Sequence, residues 1–338
     1  MKNVTIKDVA KVANVSYATV SRALSGSTEI GEETRKRVLE ICREMGYTTN
    51  YVARSMVMKK TKLLGLIVAN IDNPFMSEMA YHVETRAREH GYNLMLCNSS
   101  HDLDLERELF ELLVSRQVDG IILVPSSSES YDNLKPLISK VPTVFVSENL
   151  RDLPESYVSV DNYRGTHIGT EYLYSLGHRK ILYFGLRKGS VTHQARADGY
   201  LDACRELGIE PSIFNSNYKQ SNIQAGCEMA RQLFAGPLEY TAIFSATDSL
   251  ALGVFAAAEE AGIRIPEDIS LMGFDNILYS DLPRIRLTTI EQPKKTMATA
   301  AVHILFEKFA DDASGYSHRI LTPTLVVRSS CRDIRDEL

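Results

Sequence analysis

The sequence predicts an α/β chain built as a small helical head, a short helical linker and two doubly wound α/β lobes. Three observations carry this reading. Residues 4–45 place apolar side chains at helical spacing, interrupted by capping residues. From residue 63 the pattern changes to short continuous apolar runs, the mark of strands buried on both faces, separated by helical stretches. Charge divides at the same place. Residues 1–62 hold 12 Lys/Arg against 6 Asp/Glu, whereas the remainder holds 26 against 37. A basic head on an acidic body fits a nucleic-acid-binding module joined to a domain with other work.

In the head, Thr5 and Asp8 have the spacing of a capping box, and Ile6, Val9, Ala10 and Ala13 then share one helical face. Asn14 tolerates the left-handed conformation that stops a helix, and Ser16 is suited to cap the next one. Val15, Val20 and Leu24 supply the buried face of that second helix. Its other face carries Tyr17, Ala18, Thr19, Ser21 and Arg22, side chains suited to base edges and phosphates. A third helix is expected over 32–45, with Val38, Ile41, Cys42 and Met45 inward and Gly46 closing it. Next, Asn50 can cap about two helical turns that end at Lys59, Lys60 and Lys62. So short a helix does not repay its nucleation cost alone, so it is expected to borrow order from a partner copy or from DNA.

The stretch TIKDVAKVANVSYATVSRAL resembles, nearly position for position, the reading head of the lactose/galactose repressor (LacI/GalR) family. Later stretches extend the resemblance to nearly the whole chain: YVSVDN, LGHRKI, RADGY, DSLALG, IRIPEDISLMGFDN, LTTIEQP and VVRSS. The resemblance implies a helix-turn-helix head over 1–49, a hinge helix and linker over 50–62, and an effector-binding and dimerisation core over 63–338 of periplasmic-binding-protein type. Lobe one would then be about 63–160 with 293–321, and lobe two about 161–290 with 322–338. It also implies DNA contacts from Thr5, Ser16, Tyr17, Ala18, Thr19, Ser21, Arg22 and Thr34, and from Asn50, Ala53, Arg54 and Met56 in the hinge. Family members usually have Leu as the minor-groove wedge; here that position is Met56.

In the core, strands are expected in 63–70, 92–99, 120–127 and 142–149, then in 180–186, 212–215, 241–247 and 270–276. Ligands of doubly wound sheets lie beyond the carboxyl ends of strands, here in a cleft between lobes. Asn73, Phe75, Thr247 and Asp275 follow or end strands, and Gln292 falls in the last crossover that the resemblance implies. Arg196 stands where the family points an Arg at the effector, and Ser147 where sugar-binding relatives often have Asp. Tyr218 is a further candidate to stack on the ligand. An Arg, a carboxylate, amides and hydroxyls suit polyols or nitrogen heterocycles. Two alternatives stand beside this: Phe75 as plain core and Arg196 as a structural ion pair. Asp161 and Asp248 are expected to cap the helices that follow them.

No apolar run reaches the roughly 18 residues that cross a bilayer, and the first ten residues lack the core of a signal peptide. Five scattered cysteines without a CxxC pair read as reduced thiols of a cytoplasmic protein, and eight histidines show no ligand spacing, so no metal or cofactor is expected. Phosphate-loop, GxGxxG and GxSxG motifs are missing, which argues against an enzyme. The expectation is a transcription regulator, a repressor whose grip on near-palindromic operator DNA is set by a small metabolite: a sugar, a sugar derivative, or a nucleoside or purine. A solute-binding protein of a transport system is the alternative. A homodimer is expected, because one head reads one half-site. A tetramer is not, since only Ile334 and Leu338 follow Cys331 as apolar candidates for a coiled coil.

Overall fold

The computed structural model describes residues 4–25, 29–47, 60–147, 154–187, 189–216, 218, 222–310 and 315–337. The chain divides into two compact units, 1–61 and 62–338.

In the first unit, α1 (Ile6–Ala13) opens with both halves of the capping box made: the Asp8 amide donates to Thr5 Oγ1, and the Thr5 amide donates to the Asp8 carboxylate at 2.8 Å. Asn14 ends it at φ 50°. The Thr19 amide of α2 (Tyr17–Ser25) donates to Ser16 Oγ at 3.1 Å. α3 (Glu32–Glu44) follows, and Arg37 ties it to α1 by donating to the Ala13 carbonyl at 3.0 Å. Val9, Ala13, Val20, Ala23, Val38 and Cys42 are buried between the three helices. Val15, Leu24, Ile41 and Met45 pack at the margin of this small core and stay half-buried. The hinge candidates Asn50, Ala53, Arg54 and Met56 lie outside the described residues.

The second unit holds two six-stranded sheets. The first is ordered β11-β5-β4-β3-β1-β2 and is parallel throughout. Its strands are β1 (Leu63–Val68), β2 (Asn93–Asn98), β3 (Gly120–Leu123), β4 (Thr143–Val146), β5 (Ser156–Val160) and β11 (His318–Leu321). The second runs β12-β10-β9-β8-β6-β7, parallel except where β12 (Thr324–Val326) returns against β10 (Thr288–Glu291). Its other strands are β6 (Ile181–Arg187), β7 (Ser212–Ser216), β8 (Ala242–Ser245) and β9 (Ser270–Asp275). Helices α4 (Pro74–Glu89), α5 (Leu103–Ser115), α6 (Ser130–Ile138) and α11 (Lys294–Glu307) cover the first sheet. The second is covered by α7 (Asn162–Ser175), α8 (Val191–Leu207), α9 (Ile223–Phe234) and α10 (Asp248–Ala261). The chain passes between sheets after Val160, after Glu291 and between Leu321 and Thr324.

Central strands are buried along their whole length, as continuous apolar runs require. The run at 92–99 departs from the expectation of burial on both faces. β2 is an edge strand, and Leu96 is 44% exposed. An apolar run does not say which strand will lie outermost. Gly199 decides the helix layer of the second lobe, because a Cβ there would sit 2.2 Å from the Tyr163 carbonyl oxygen of α7. At the end of the chain, Ile334 is buried and its amide donates to the Leu176 carbonyl at 2.8 Å. That residue is therefore committed to its own lobe.

Candidate functional site

Two surfaces carry the sequence-predicted side chains, one on each unit. On the head, Ser16, Tyr17, Ala18, Ser21 and Arg22 are exposed along one face of α2, opposite buried Val20 and Ala23. Thr19 and Thr34 are half-buried, and Thr19 Oγ1 lies 2.9 Å from Ser16 Oγ. Thr5 spends its hydroxyl on the capping box, donating to Asp8 Oδ2 at 2.7 Å. Arg22 pairs with Glu29 at 3.0 Å; both side chains are solvated, so exchanging that partner for a guanine edge costs little. A helix-turn-helix places the second helix in the major groove, and this face is the one it would present.

On the core, a cavity of about 70 Å³ lies where strand ends of both sheets converge. Asn73 and Phe75 follow β1, Ser147 follows β4, Thr247 follows β8, Asp275 ends β9 and Gln292 follows β10; Arg196 enters from α8. Seven of the eight candidates thus line one space. The eighth, Tyr218, does not. It sits beside β7 and α9, against Ile213, Phe214 and Met229, with its hydroxyl hydrogen-bonded to Glu228. A tyrosine after an edge strand has the outer face of its own lobe to pack on, and this one does.

The heart of the cavity is a buried charge network. Arg196 is 3% exposed and lies over the Phe274 ring, 3.8 Å from its centroid. Its Nε donates to Asn162 Oδ1 at 2.8 Å, Nη1 to the Ala246 carbonyl at 2.6 Å, and Nη2 to Asp275 Oδ1 at 3.5 Å. Gln292 Nε2 donates to the same carboxylate oxygen at 2.6 Å. The ion pair of Arg196 is thus structural and also lines the cavity. Phe75 likewise belongs to the core of the first lobe and lines the cavity. Asn73 Oδ1 accepts from the Phe75 amide and Thr247 Oγ1 from the Leu250 amide, so each caps a helix as well.

Asp161 caps α7, accepting from the Arg164 amide at 3.0 Å. Asp248 does not cap α10; Thr247 does. The Asp248 carboxylate is buried and accepts from the Ile277 amide, Ser280 Oγ and Thr289 Oγ1 at 3.0, 2.6 and 2.6 Å. It fixes the segment that leaves Asp275. Gly273 makes room for it, since a Cβ there would lie 2.1 Å from Asp248 Oδ1. Sequence spacing near a helix start looks the same for both roles, which is why the capping role was expected.

Strain gathers at the same strand ends. Ser147 has φ 76° and Asp275 φ 128°, conformations that favour glycine and cost about 1–3 kcal/mol each in other residues. Burial raises the Asp275 carboxyl above its ordinary range, with Arg196 opposing and the Asp248 charge adding to the rise. The folded state then holds a proton that the unfolded chain has lost, so the contribution of Asp275 to stability falls as pH climbs from about 4 toward neutrality. Relative to wild type, Asp275→Asn is therefore expected to gain stability as pH climbs from about 4 to 7.5, set against the ion-pair partner that Arg196 loses. Paired melting curves across that range check it; a variant that loses ground to wild type as pH rises would contradict it.

Sequence reasoning missed three cavity residues of high consequence: His101, Arg187 and His193. Arg187 is the last residue of β6, and His101 follows β2, so the strand-end rule could have found both. His193 lies in the first turn of α8, where no signal marked it. Arg187 Nη1 lies 3.2 Å from His101 Nδ1, joining the two lobes across the cavity. Lys294 and Glu78 add a second join. Lys294 Nζ donates to the carbonyls of Asp275 and Asn276, and the Leu278 amide donates to Glu78 Oε1 at 2.9 Å.

Residues 5–50 match the family described as bacterial regulatory proteins, lacI family, and residues 170–331 match a periplasmic binding protein-like domain. The chain is 32% identical over 336 residues to the HTH-type transcriptional repressor PurR of Mannheimia succiniciproducens, covering 98% of this chain and 99% of that one. It is 33% identical to the HTH-type transcriptional regulator DegA of Bacillus subtilis, over 96% of this chain and 97% of that protein. Among solved structures, a lac repressor dimer bound to operator and the anti-inducer ONPF superposes with a TM-score of 0.85 at 25% identity, over 98% of this chain and all of that one. These relatives are regulators, and the similarity runs through the head, which the transport alternative does not accommodate. With matches over both units and nearly the full length, the chain belongs to the lacI family of bacterial regulatory proteins.

Proposed function

We propose that this protein represses transcription from a near-palindromic operator as a homodimer, and that a small metabolite in the cavity between its lobes sets operator affinity. The observation that supports it best is the exposed Tyr17–Arg22 face of a helix-turn-helix in the same chain as a strand-end cavity with a buried Arg–Asp pair. The head comprises 1–49, the hinge and linker 50–62, and the core 63–338. In the hinge, Asn50, Ala53, Arg54 and Met56 take the minor groove, while Ser16, Tyr17, Ala18, Thr19, Ser21 and Arg22 meet the major groove, with Thr5 and Thr34 at the phosphates. Asn73, Phe75, Ser147, Arg196, Thr247, Asp275 and Gln292 receive the effector; Tyr218 is dropped, given its place on the outer face of its lobe. The protein performs no catalysis and works in the cytoplasm, a setting with which its five free thiols are consistent.

Arg22 is the residue best able to fork onto guanine O6 and N7, a contact worth about 1–3 kcal/mol against the wrong base. Ala18 has no hydrogen-bonding group and offers only a methyl to a thymine methyl. Ala18→Gln is expected to change the preferred half-site while leaving salt dependence in place, because no phosphate contact changes. Selection from randomised half-sites with both proteins checks this, and an identical preference would contradict the placement of α2.

A further inference from the structure

The cavity's charges point to one class of ligand, and this rests on the regulator reading above. Among the described residues its lining carries two guanidiniums, Arg187 and Arg196, and two imidazoles, His101 and His193, against one carboxylate, Asp275. That carboxylate already receives Arg196 and Gln292. Helices α4, α8 and α10 all begin at the cavity, with their capping residues Asn73, Ser190 and Thr247 in its lining. Three helix N-termini add positive potential to a lining in which two guanidiniums face one carboxylate. Arg187 and His101 meet across the cleft, one from each lobe, with nitrogens 3.2 Å apart. An oxyanion is the group that both can donate to together.

We propose that the effector is an acid, a polyol bearing a carboxylate or a phosphate, whose anionic oxygens seat between His101 of the first lobe and Arg187 of the second. The guanidinium donates to the oxyanion from one side; from the other, the His101 ring gives it the N–H that otherwise faces the Ser126 carbonyl, 3.4 Å from Nδ1. The polyol faces Arg196, Asp275 and Gln292. One anionic group thus replaces the direct His101–Arg187 contact and links the two lobes through itself, so recognition of the charge is coupled to the spacing of the cleft. Burial, followed by the Arg187 charge, lowers the His101 imidazole to about 4. The ring is therefore neutral before the ligand arrives, with one nitrogen a donor.

The test is a melting-temperature screen of the full-length protein followed by titration. Gluconate, glucuronate and galacturonate probe the carboxylate form; phosphorylated glucose and phosphorylated ribose probe the phosphate form. Glucose, galactose, ribose, adenosine and hypoxanthine are the neutral set. At least one acid is expected to raise the melting temperature, and the arm it comes from identifies the anion. Arg187→Gln should then weaken that acid about ten- to a hundredfold. Arg187→Lys, which keeps the charge, should retain most of the affinity, whereas a merely structural role would be lost in both variants. Stabilisation by neutral compounds alone, no stabilisation by any acid, or equal acid affinity in Arg187→Gln and wild type would overturn the proposal. Melting of each variant without ligand shows that it is folded. Operator retention in the same samples separates this failure from that of the regulator reading, which falls only if the protein does not hold operator.

Discussion

Arg196→Ala is expected to erase the response to effector while ligand-free operator affinity stays within a few-fold of wild type. The guanidinium makes three hydrogen bonds inside the protein and also faces the cavity. Its loss strips the effector of a charged donor, which costs about 1.5–3 kcal/mol of affinity. It also leaves the Asp275 carboxyl buried without its ion-pair partner; removal of one member of such a pair costs about 3–5 kcal/mol. Part of that cost is avoided, because a carboxyl already raised by burial takes up a proton instead of remaining charged. The variant should therefore fold and melt lower than wild type, with the deficit smallest at acidic pH, where the Asp275 carboxyl is protonated in both proteins. Titration calorimetry with the effector and an operator binding curve check the two halves. Loss of operator binding in a folded Arg196→Ala protein would show that the residue does something other than hold ligand.

Met56→Ala is expected to weaken operator binding more than tenfold and to leave non-specific binding nearly unchanged. The argument is one of sequence and groove chemistry. A segment of about two turns gains its order from a partner copy or from DNA, and an apolar side chain there can wedge between base steps, unstacking them in exchange for a bent duplex and wider contact. Ala is too short to wedge. Met56→Leu should keep or modestly raise affinity, because Leu fills the same space with fewer rotamers to lose. Under the proposed function, hinge order would depend on how far apart two cores hold their chains, which would give the effector a two-state element to bias. Matched-salt titrations of wild type and both variants on operator and random duplex decide it. Equal operator affinity in wild type and Met56→Ala would remove the wedge.

What the sequence could show divides along physical lines. The capping box at Thr5 and Asp8, the left-handed stop at Asn14 and the Ser16 cap are local hydrogen-bond patterns, and each forms as read. Buried parallel strands announce themselves as apolar runs, and the residues just past them converge on the cavity because the doubly wound fold sends every such end to one side. Long-range placement is less visible. Nothing in YNLMLCNS tells an edge strand from a central one. Asp161 and Asp248 both stand at a helix start, yet Asp161 is the cap, whereas Asp248, one residue inside its helix, anchors a distant segment through Ser280 and Thr289. Tyr218 failed for the same reason, since a loop after an edge strand has two faces to choose between. The meeting of His101 with Arg187 links residues far apart in sequence and on different sheets, and only the assembled cleft reveals it.

The most direct test of the central claim is selection of duplexes from a random pool by the full-length chain, followed by binding curves on the enriched sequence and on its two halves. The expected result is one enriched near-palindromic site, bound by two copies, with a single half-site bound far more weakly because one head reads only half of it. The contradicting result is a pool that stays random, with binding that depends on salt but not on sequence.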